Sequence, residues 1–137
     1  MEEYLSVLVV DQSIEHKGIL TNAGFVLGLT SGRELPESTF GPAVVDGDNT
    51  IHQYLTKIGH FVRKASQNKL RELRTKLVAE PNVKMVDYTE DAAPANYEEY
   101  TQNLAKHKGE EIKYRAIHIY GPKTIILPLT KNLSSLT

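Results

Sequence analysis

The sequence contains no cysteine. This absence excludes a disulfide framework, a thiolate nucleophile and a cysteine-ligated zinc site. Long apolar runs are also absent, since the first residues are acidic and lead only into the short apolar stretch 5–10. We therefore expect no signal peptide and no membrane span, and we predict a cytoplasmic protein. The chain also lacks a nucleophile elbow, a phosphate-binding Gly-Lys-Ser/Thr loop and a dinucleotide fingerprint, which removes several common enzyme classes.

Size predicts a single domain that spans residues 1–137. A chain of 137 residues buries roughly two-thirds of its unfolded surface on folding, so its stability requires no metal or disulfide. We predict neither a cofactor nor a metal site.

The net charge of −1 conceals two segments of opposite sign. Segment 57–76 contains seven cations and one acid, whereas segment 87–111 contains seven acids and two lysines. Such an asymmetry can attract an anionic ligand or join two copies of the chain as a homodimer. Two solvated surfaces of opposite sign are the simpler explanation.

Hydrophobic periodicity predicts strands that alternate with helices. Short runs rich in Leu and Val indicate buried strands, Ser66 suits an N-cap, and leucines at helical spacing from Leu70 to Leu77 indicate a helix stripe that contacts the core. The interval 33–56 is rich in Gly and Pro and predicts an irregular loop with a brief extended piece at 44–45. The predicted strands are 4–10, 57–63, 83–88 and 112–120, and the predicted helices are 17–31, 66–80, 96–107 and 123–133.

This alternation predicts an α/β protein, a three-layer α/β/α sandwich with a small mixed central sheet of about four strands. In strand 112–120 the period of two places Tyr114 and His118 on the same face. Ligands of open α/β sheets bind beyond the carboxyl ends of the strands. The predicted crevice is formed by Asp11, by Asp87-Tyr88-Thr89 and by the Gly121-Pro122 turn.

Short motifs follow one another along nearly the whole chain. They are Asn22-Ala23 with Val26-Leu27-Gly28-Leu29, Gly41-Pro42 with Val44-Val45-Asp46 and His52, Lys64-Ala65 with Leu70-Arg71-Glu72-Leu73-Arg74, Asp87-Tyr88-Thr89 with Tyr97 and Tyr100, and Tyr120-Gly121-Pro122-Lys123 with Leu129-Thr130. In these motifs the chain resembles an uncharacterised bacterial family of short proteins, whose fold is similar to that of the type II (archaeal and eukaryotic-type) peptidyl-tRNA hydrolases. The resemblance implies that fold and a cleft at the start of the first helix. In the hydrolases this cleft cleaves the ester between a peptide and the 3′ end of a transfer RNA.

The catalytic residues of those hydrolases are only partly matched. Asn22 takes the place of their glutamine, and Phe25 stands where they have a histidine. His16-Lys17 occupies the position of their lysine-rich turn, and Asp87-Tyr88-Thr89 replaces an Arg-Asp pair. The Gly121-Pro122 turn does match. The resemblance therefore implies the scaffold and argues against the orthodox activity.

Four residues are candidates for catalysis. Asn22 can both donate and accept hydrogen bonds, and it either contacts a ligand or ties its helix to the 41–46 loop. Asp87 lies at the end of a strand, with Thr89 two residues on, where it could orient a water, accept from a ligand hydroxyl or simply cap the acidic loop that follows. His118 is either a packed strand histidine or a proton-transfer group, and the second role requires a partner within hydrogen-bond reach.

Six residues in turns are candidates for ligand binding. His16 and Lys17 precede the first helix, whose free N–H groups favour an anion such as phosphate, although most helix ends bind only water. The others, Gly41, Pro42, Asp46 and Gly121, line the predicted cleft. Asp46 and Asp48, with His52 nearby, have the residue types of a metal site or an acid–base pair, but the neighbouring Gly47 and Asn49 favour ordinary turn chemistry.

Three functions fit these features. The first is a module that binds a phosphate-bearing ligand, either a nucleotide or an RNA end. The alternatives are a hydrolase of a small ester, amide or tRNA-linked substrate, and a homo-oligomeric interaction protein. The pI of 6.5 argues against a large nucleic-acid footprint.

Overall fold

Strands and helices alternate along the chain in the computed structural model, which describes residues 3–92 and 96–136. The strands are β1 (Tyr4–Asp11), β2 (Val44–Val45), β3 (Ile51–His52), β4 (Gly59–Ala65), β5 (Lys84–Thr89), β6 (Tyr114–Pro122) and β7 (Ser134–Ser135). The helices are α1 (Lys17–Gly32), α2 (Gln67–Val78), α3 (Tyr97–Ala105) and α4 (Lys123–Thr130). The predicted mixed α/β class is confirmed. Among the described residues, no helix combines the length and the apolar composition that crossing a bilayer requires.

Five of the strands form one mixed sheet in the order β5-β6-β1-β4-β7. β4 is parallel to β1, whereas β6 is antiparallel to both β1 and β5. β5 therefore runs in the same direction as β1 and β4. The sequence predicted about four strands and missed β7, a two-residue edge strand that pairs with Arg63 and Lys64. Its Ser-Ser sequence has no apolar period that could have indicated a strand.

The two faces of this sheet pack against different helices. On the first, here called the α1 face, Val10 of β1 and Ala116 of β6 are buried against Ala23 and Leu27 of α1. On the second, the α2 face, other β1 and β6 residues pack against α2 and α4. The predicted leucine stripe of α2 lies here, with Leu70, Leu73 and Leu77 at most 2% exposed. Ser66 caps α2 as predicted, since its Oγ accepts from the amide of Lys69 at 3.2 Å.

The interval 33–56 is largely irregular, as predicted, but it contains a small hairpin. β2 and β3 pair with each other in a separate two-stranded sheet, with Val45 opposite Ile51. These side chains are 59% and 65% exposed, so the hairpin adds little to the core.

The pairing of β5 with β6 shifts by one residue near its end. Tyr88 lies opposite Ala116, but Thr89 lies opposite Tyr114, so Arg115 is an extra residue that forms a bulge. The prediction that Tyr114 shares a face with His118 is wrong. Beyond the bulge Tyr114 turns to the α2 face, where its ring centroid is 6.0 Å from the guanidinium carbon of Arg74. Side chains alternate between the two faces of a strand only where the strand pairing continues without a bulge.

Candidate functional site

The residues of the predicted crevice lie at opposite ends of the sheet. Because β6 is antiparallel to β1, Pro122 pairs with Tyr4 at the start of β1, far from Asp11 at its end. Thr89 lies at the same end as Asp11, because β5 and β1 run in the same direction. The prediction that Gly121 shares a crevice with Asp87 and Thr89 is therefore wrong. Strand direction decides this point, and the local sequence pattern does not specify it.

The end of the sheet at Asp11 is closed by side-chain hydrogen bonds. Nε2 of Gln67 donates to Oδ2 of Asp11 at 2.9 Å and to the carbonyl of Tyr114 at 2.6 Å. Oε1 of Gln67 accepts from the amide of Tyr114 at 3.0 Å. Oδ1 of Asp11 accepts from both the amide and the hydroxyl of Ser13, each at 2.9 Å. Both carboxylate oxygens of Asp11 and both polar atoms of the Gln67 amide are therefore hydrogen-bonded within the protein.

Two predicted catalytic residues, Asn22 and Asp87, lie on opposite faces of the sheet. Oδ1 of Asn22 accepts from the hydroxyl of Tyr88 at 3.0 Å, which ties α1 to β5. The hydrogen-bond partner of Asn22 is thus on β5 and not in the 41–46 loop to which one alternative tied it. On the α2 face, Oδ2 of Asp87 accepts from Nε of Arg74 at 2.9 Å, and this bond raises the pKa of Arg74. Asn22 and Asp87 cannot act on the same substrate atom.

Thr89 is buried on the α2 face beside Tyr100 of α3. It is 2% exposed. Burial, and then the nearby carboxylate of Asp87, raise the pKa of Tyr100, while the Thr89 hydroxyl acts in the opposite direction. Thr89 is therefore buried next to the side chain of Tyr100 and is not exposed at the surface.

His16 occupies the helix end at which a phosphate was predicted. Its Nδ1 accepts from the amide of Ile19 at 3.3 Å, so the imidazole caps α1. Gly18 leaves space for this ring, because a Cβ at that position would lie 2.9 Å from Cε1 of His16. An anion at this helix end would compete with the imidazole for the amide of Ile19.

Asp46 organises the turn of the β2–β3 hairpin. Its Oδ1 accepts from the amides of Asp48 at 2.8 Å and Thr50 at 3.0 Å, and its Oδ2 lies 2.9 Å from Nε2 of His52. The bond to His52, followed by these amide bonds, lowers the pKa of Asp46. Asn49 completes the turn with a positive φ of 65°. Within residues 3–92 and 96–136, no three His, Asp or Glu side chains are grouped so as to hold a metal ion.

The glycines at the predicted site are explained by packing and backbone pairing. The amide of Gly41 donates to the carbonyl of Leu55 at 2.9 Å, and Pro42 beside it is exposed. Gly121 is buried, and a Cβ there would lie 3.1 Å from Cγ2 of Val83 and 3.3 Å from the carbonyl oxygen of Asn82. The close approach of chain segments therefore favours glycine at position 121.

A groove of about 1070 Å³ lies at the opposite end of the sheet, where β1 and β4 begin. Lys57, Lys84 and Lys123 line it. Tyr4 and Tyr120 also line it, stacked on each other with their ring centroids 5.4 Å apart. None of the ten predicted site residues lines this groove.

A smaller cavity of about 360 Å³ adjoins the groove beneath the end of α1. The two share Glu34, Lys84 and Tyr120 as lining residues. Ser31, buried near the end of α1, contributes to the lining of the smaller cavity.

His118 is held between two serine hydroxyls on the α1 face. Its Nδ1 lies 2.6 Å from Oγ of Ser31, and its Nε2 lies 2.6 Å from Oγ of Ser6 on β1. Burial, and then the proximity of His60, lower the pKa of His118 to about 4. The ring is therefore neutral at pH 7, so one nitrogen donates and the other accepts. Each ring nitrogen thus has a serine hydroxyl within hydrogen-bond distance, as a role in proton transfer requires.

Sequence reasoning singled out His118 but missed its partners and the lysines of the groove. Ser6 and Ser31 are 112 and 87 residues away from His118 along the chain, so no local spacing connects them. Lys57, Lys84 and Lys123 lie next to or at the ends of strands, and this position is the only sequence feature that they share. It indicates a common site only when the strand directions are known.

Comparison with known proteins identifies a family but no activity. A family described as protein of unknown function (DUF2000) matches residues 6–137. The chain belongs to this family. A solved structure of a protein of unknown function from Agrobacterium tumefaciens covers 100% of both chains with a TM-score of 0.76 at 13% identity, a likeness that shows the fold alone. No curated protein matches the sequence. The similarity to type II peptidyl-tRNA hydrolases stays a prediction.

Proposed function

We propose that this member of the DUF2000 family binds a phosphate-bearing ligand, a nucleotide or an RNA end, in the groove where β1 and β4 begin. The observation that supports this proposal is the set of three lysines around a cavity of about 1070 Å³. Ligand sites for small molecules measure roughly 300–1,000 Å³, so the groove has room for a nucleotide.

The charges of the groove favour an anion. Lys57 and Lys84 have no ion-pair partner in the described part of the chain, whereas Lys123 lies 3.0 Å from a carboxylate oxygen of Glu3. The other acid of the groove, Glu34, faces Arg33 at 3.4 Å. Lysine ammonium groups are compact charges that suit phosphate oxygens.

Aromatic side chains beside the lysines favour a ligand with a base. Phe61 is 41% exposed and lines the groove, while Arg63 lies 5.2 Å from the centroid of its ring. Stacking of a base on an aromatic ring contributes about 1–3 kcal/mol. A nucleotide would thus use an aromatic surface and the cations together.

The scaffold is proposed from the sequence resemblance to be that of the type II peptidyl-tRNA hydrolases. Their orthodox reaction is not part of the proposal. Phe25 stands where they have a histidine and is 66% exposed, and Asp87 is paired with Arg74. Bacterial origin and a cytoplasmic location stay predictions from the sequence.

Calorimetric titration with ATP, and with adenosine as the ligand without phosphates, tests this function. We expect ATP to bind more tightly than adenosine, and its affinity to fall as salt increases, because salt screens the lysine–phosphate contacts. The double variant Lys57→Ala/Lys84→Ala should raise the Kd for ATP by roughly 10²- to 10⁴-fold, since two charged hydrogen bonds of about 1.5–3 kcal/mol each are lost.

Lys106→Ala is the matched control, because Lys106 is exposed at the end of α3 and lines neither cavity. Its Kd for ATP should equal that of the wild type. Absence of ATP binding at low salt, or equal losses in the double variant and in the control, would reject the proposal.

A further inference from the structure

We propose that Ser31, His118 and Ser6 form a hydrolytic site for small esters, in which Ser31 is the nucleophile. This activity goes beyond ligand binding in the groove. It belongs to the smaller cavity of about 360 Å³ that adjoins the groove.

The three side chains form a continuous hydrogen-bonded chain. Oγ of Ser31 lies 2.6 Å from Nδ1 of His118, and Oγ of Ser6 lies 2.6 Å from Nε2 of the same ring. A hydroxyl next to a base, with a third group that orients the base, is the arrangement that activates a weak nucleophile. Ser31 lines the cavity and Ser6 does not, which assigns the nucleophile to Ser31 and the orienting role to Ser6.

The proposal requires one tautomer of His118. With its proton on Nε2, the ring donates to Ser6 and leaves Nδ1 free to accept the proton of Ser31. The charged and titratable groups on the same sheet face or in the adjoining cavity are Tyr4 on β1, His60 and Lys64 on β4, Lys84 and Tyr88 on β5, Tyr120 on β6, and Arg33 and Glu34 beyond α1. His60 disfavours a second proton on His118, which keeps the base form populated.

The reaction takes place in two steps. In the first, Oγ of Ser31 forms a bond to the ester carbonyl carbon while its proton moves to Nδ1 of His118; the bond to the leaving alkoxide then breaks, and the alkoxide takes this proton. In the second, a water oxygen bonds to the acyl carbon and gives a proton to Nδ1. The Ser31–acyl bond breaks, and Oγ recovers the proton. The products are one acid and one alcohol, and no other reactant is needed.

The cavity determines the class of substrate. Its volume suits a short acyl group, and Leu35, Met85 and Val86 provide apolar contacts. Lys84 and Arg33 are the cations of the cavity that could stabilise an oxyanion. We therefore expect hydrolysis of short acyl esters and little hydrolysis of long-chain esters.

Labelling with a fluorophosphonate, followed by peptide mass spectrometry, tests the nucleophile directly. The wild type should carry one adduct, on Ser31. Ser31→Ala and His118→Gln should lose it, and Ser6→Ala should label about tenfold more slowly, because it retains the base but not its orientation. Ser13→Ala removes an exposed serine at the other end of the sheet and should label like the wild type.

Hydrolysis of p-nitrophenyl acetate and the pH dependence of labelling provide a second readout. Both rates in the wild type should rise with pH as His118 loses its proton, with a midpoint near 4, and should be level from about pH 6 to 8. This readout needs only the wild type, so it remains available if a variant does not fold.

An unlabelled wild type, or an adduct elsewhere than on Ser31, would overturn the proposal and leave His118 as a packed structural residue. The outcome is independent of nucleotide binding. Calorimetry with ATP and labelling of Ser31 measure the two sites separately, and Lys106→Ala, which lies outside both cavities, should leave esterase activity unchanged.

Discussion

His118 shows how the environment of one residue sets its protonation state. The ring lies between two serine hydroxyls and is largely removed from water, so protonation would place a charge where solvation is poor. The sequence left two roles open for this histidine, because an imidazole on a strand is either a packed side chain or a proton-transfer group. Only the positions of Ser6 and Ser31 provide its hydrogen-bond partners.

The lowered pKa of His118 predicts a pH-dependent stability. In the unfolded chain its pKa has the ordinary value of 6.5, whereas in the folded protein it is about 4. Between these values the unfolded state binds more protons, so stability rises with pH. The contribution is complete above pH 6.5 and is lost as the pH falls toward 4. We expect it to be on the order of 3 kcal/mol.

Urea unfolding of the wild type and of His118→Gln, at several pH values from 4 to 7, measures this contribution. The stability difference between the two proteins should shrink as the pH falls, because glutamine does not titrate and the other groups are common to both. A difference that does not vary with pH would show that His118 is protonated equally in both states.

At the scale of elements, α2 stabilises the end of the sheet at which β1 ends. Gln67, the first residue of α2, makes hydrogen bonds to Asp11 and to both backbone groups of Tyr114. The leucine stripe predicted α2 from sequence, because helical periodicity is local. The role of Gln67 was not predictable, since its partners lie 56 and 47 residues away along the chain.

Replacing Gln67 by Ala should lower the free energy of unfolding by about 2–3 kcal/mol. The change leaves the part-buried amide and carbonyl of Tyr114 without this partner, and an unsatisfied buried group costs about 1–3 kcal/mol. Urea unfolding measures the loss, and amide exchange at Tyr114 should accelerate.

Asn68→Ala is the control, because Asn68 is exposed in the same turn of α2. Equal stabilities of the two variants would contradict the role assigned to Gln67.

At the scale of the whole molecule, much of the predicted charge asymmetry is neutralised within one chain. Glu72 lies 3.6 Å from Lys69 and 2.9 Å from Lys76, and Asp87 pairs with Arg74. Fewer cations of segment 57–76 are therefore available to a second copy than the sequence suggested. The exposed apolar residues of the β2–β3 hairpin carry no charge, so salt would not weaken a contact between two copies of the chain at this hairpin.

We therefore expect that added salt will not dissociate any homodimer. Sedimentation velocity at about 0.05 M and 0.5 M NaCl, conditions that shorten the screening length several-fold, measures the mass of the species in solution. The sedimentation coefficient should be unchanged or larger at high salt. A dimer present only at low salt would instead support an interface between the oppositely charged segments.

The sequence by itself determined the α/β class, the positions of the four helices and of the longer strands, and the buried stripe of α2. These depend on periodicity and capping between near neighbours, so a linear sequence contains them. Only the tertiary structure decided that β6 reverses direction, that a bulge at Arg115 turns Tyr114 to the other face, that a lysine-lined groove lies at the end of the sheet opposite to Asp11, and that His118 meets Ser6 and Ser31. Those features join residues far apart in the chain, and strand direction and register, which local patterns do not specify, determine which of them meet.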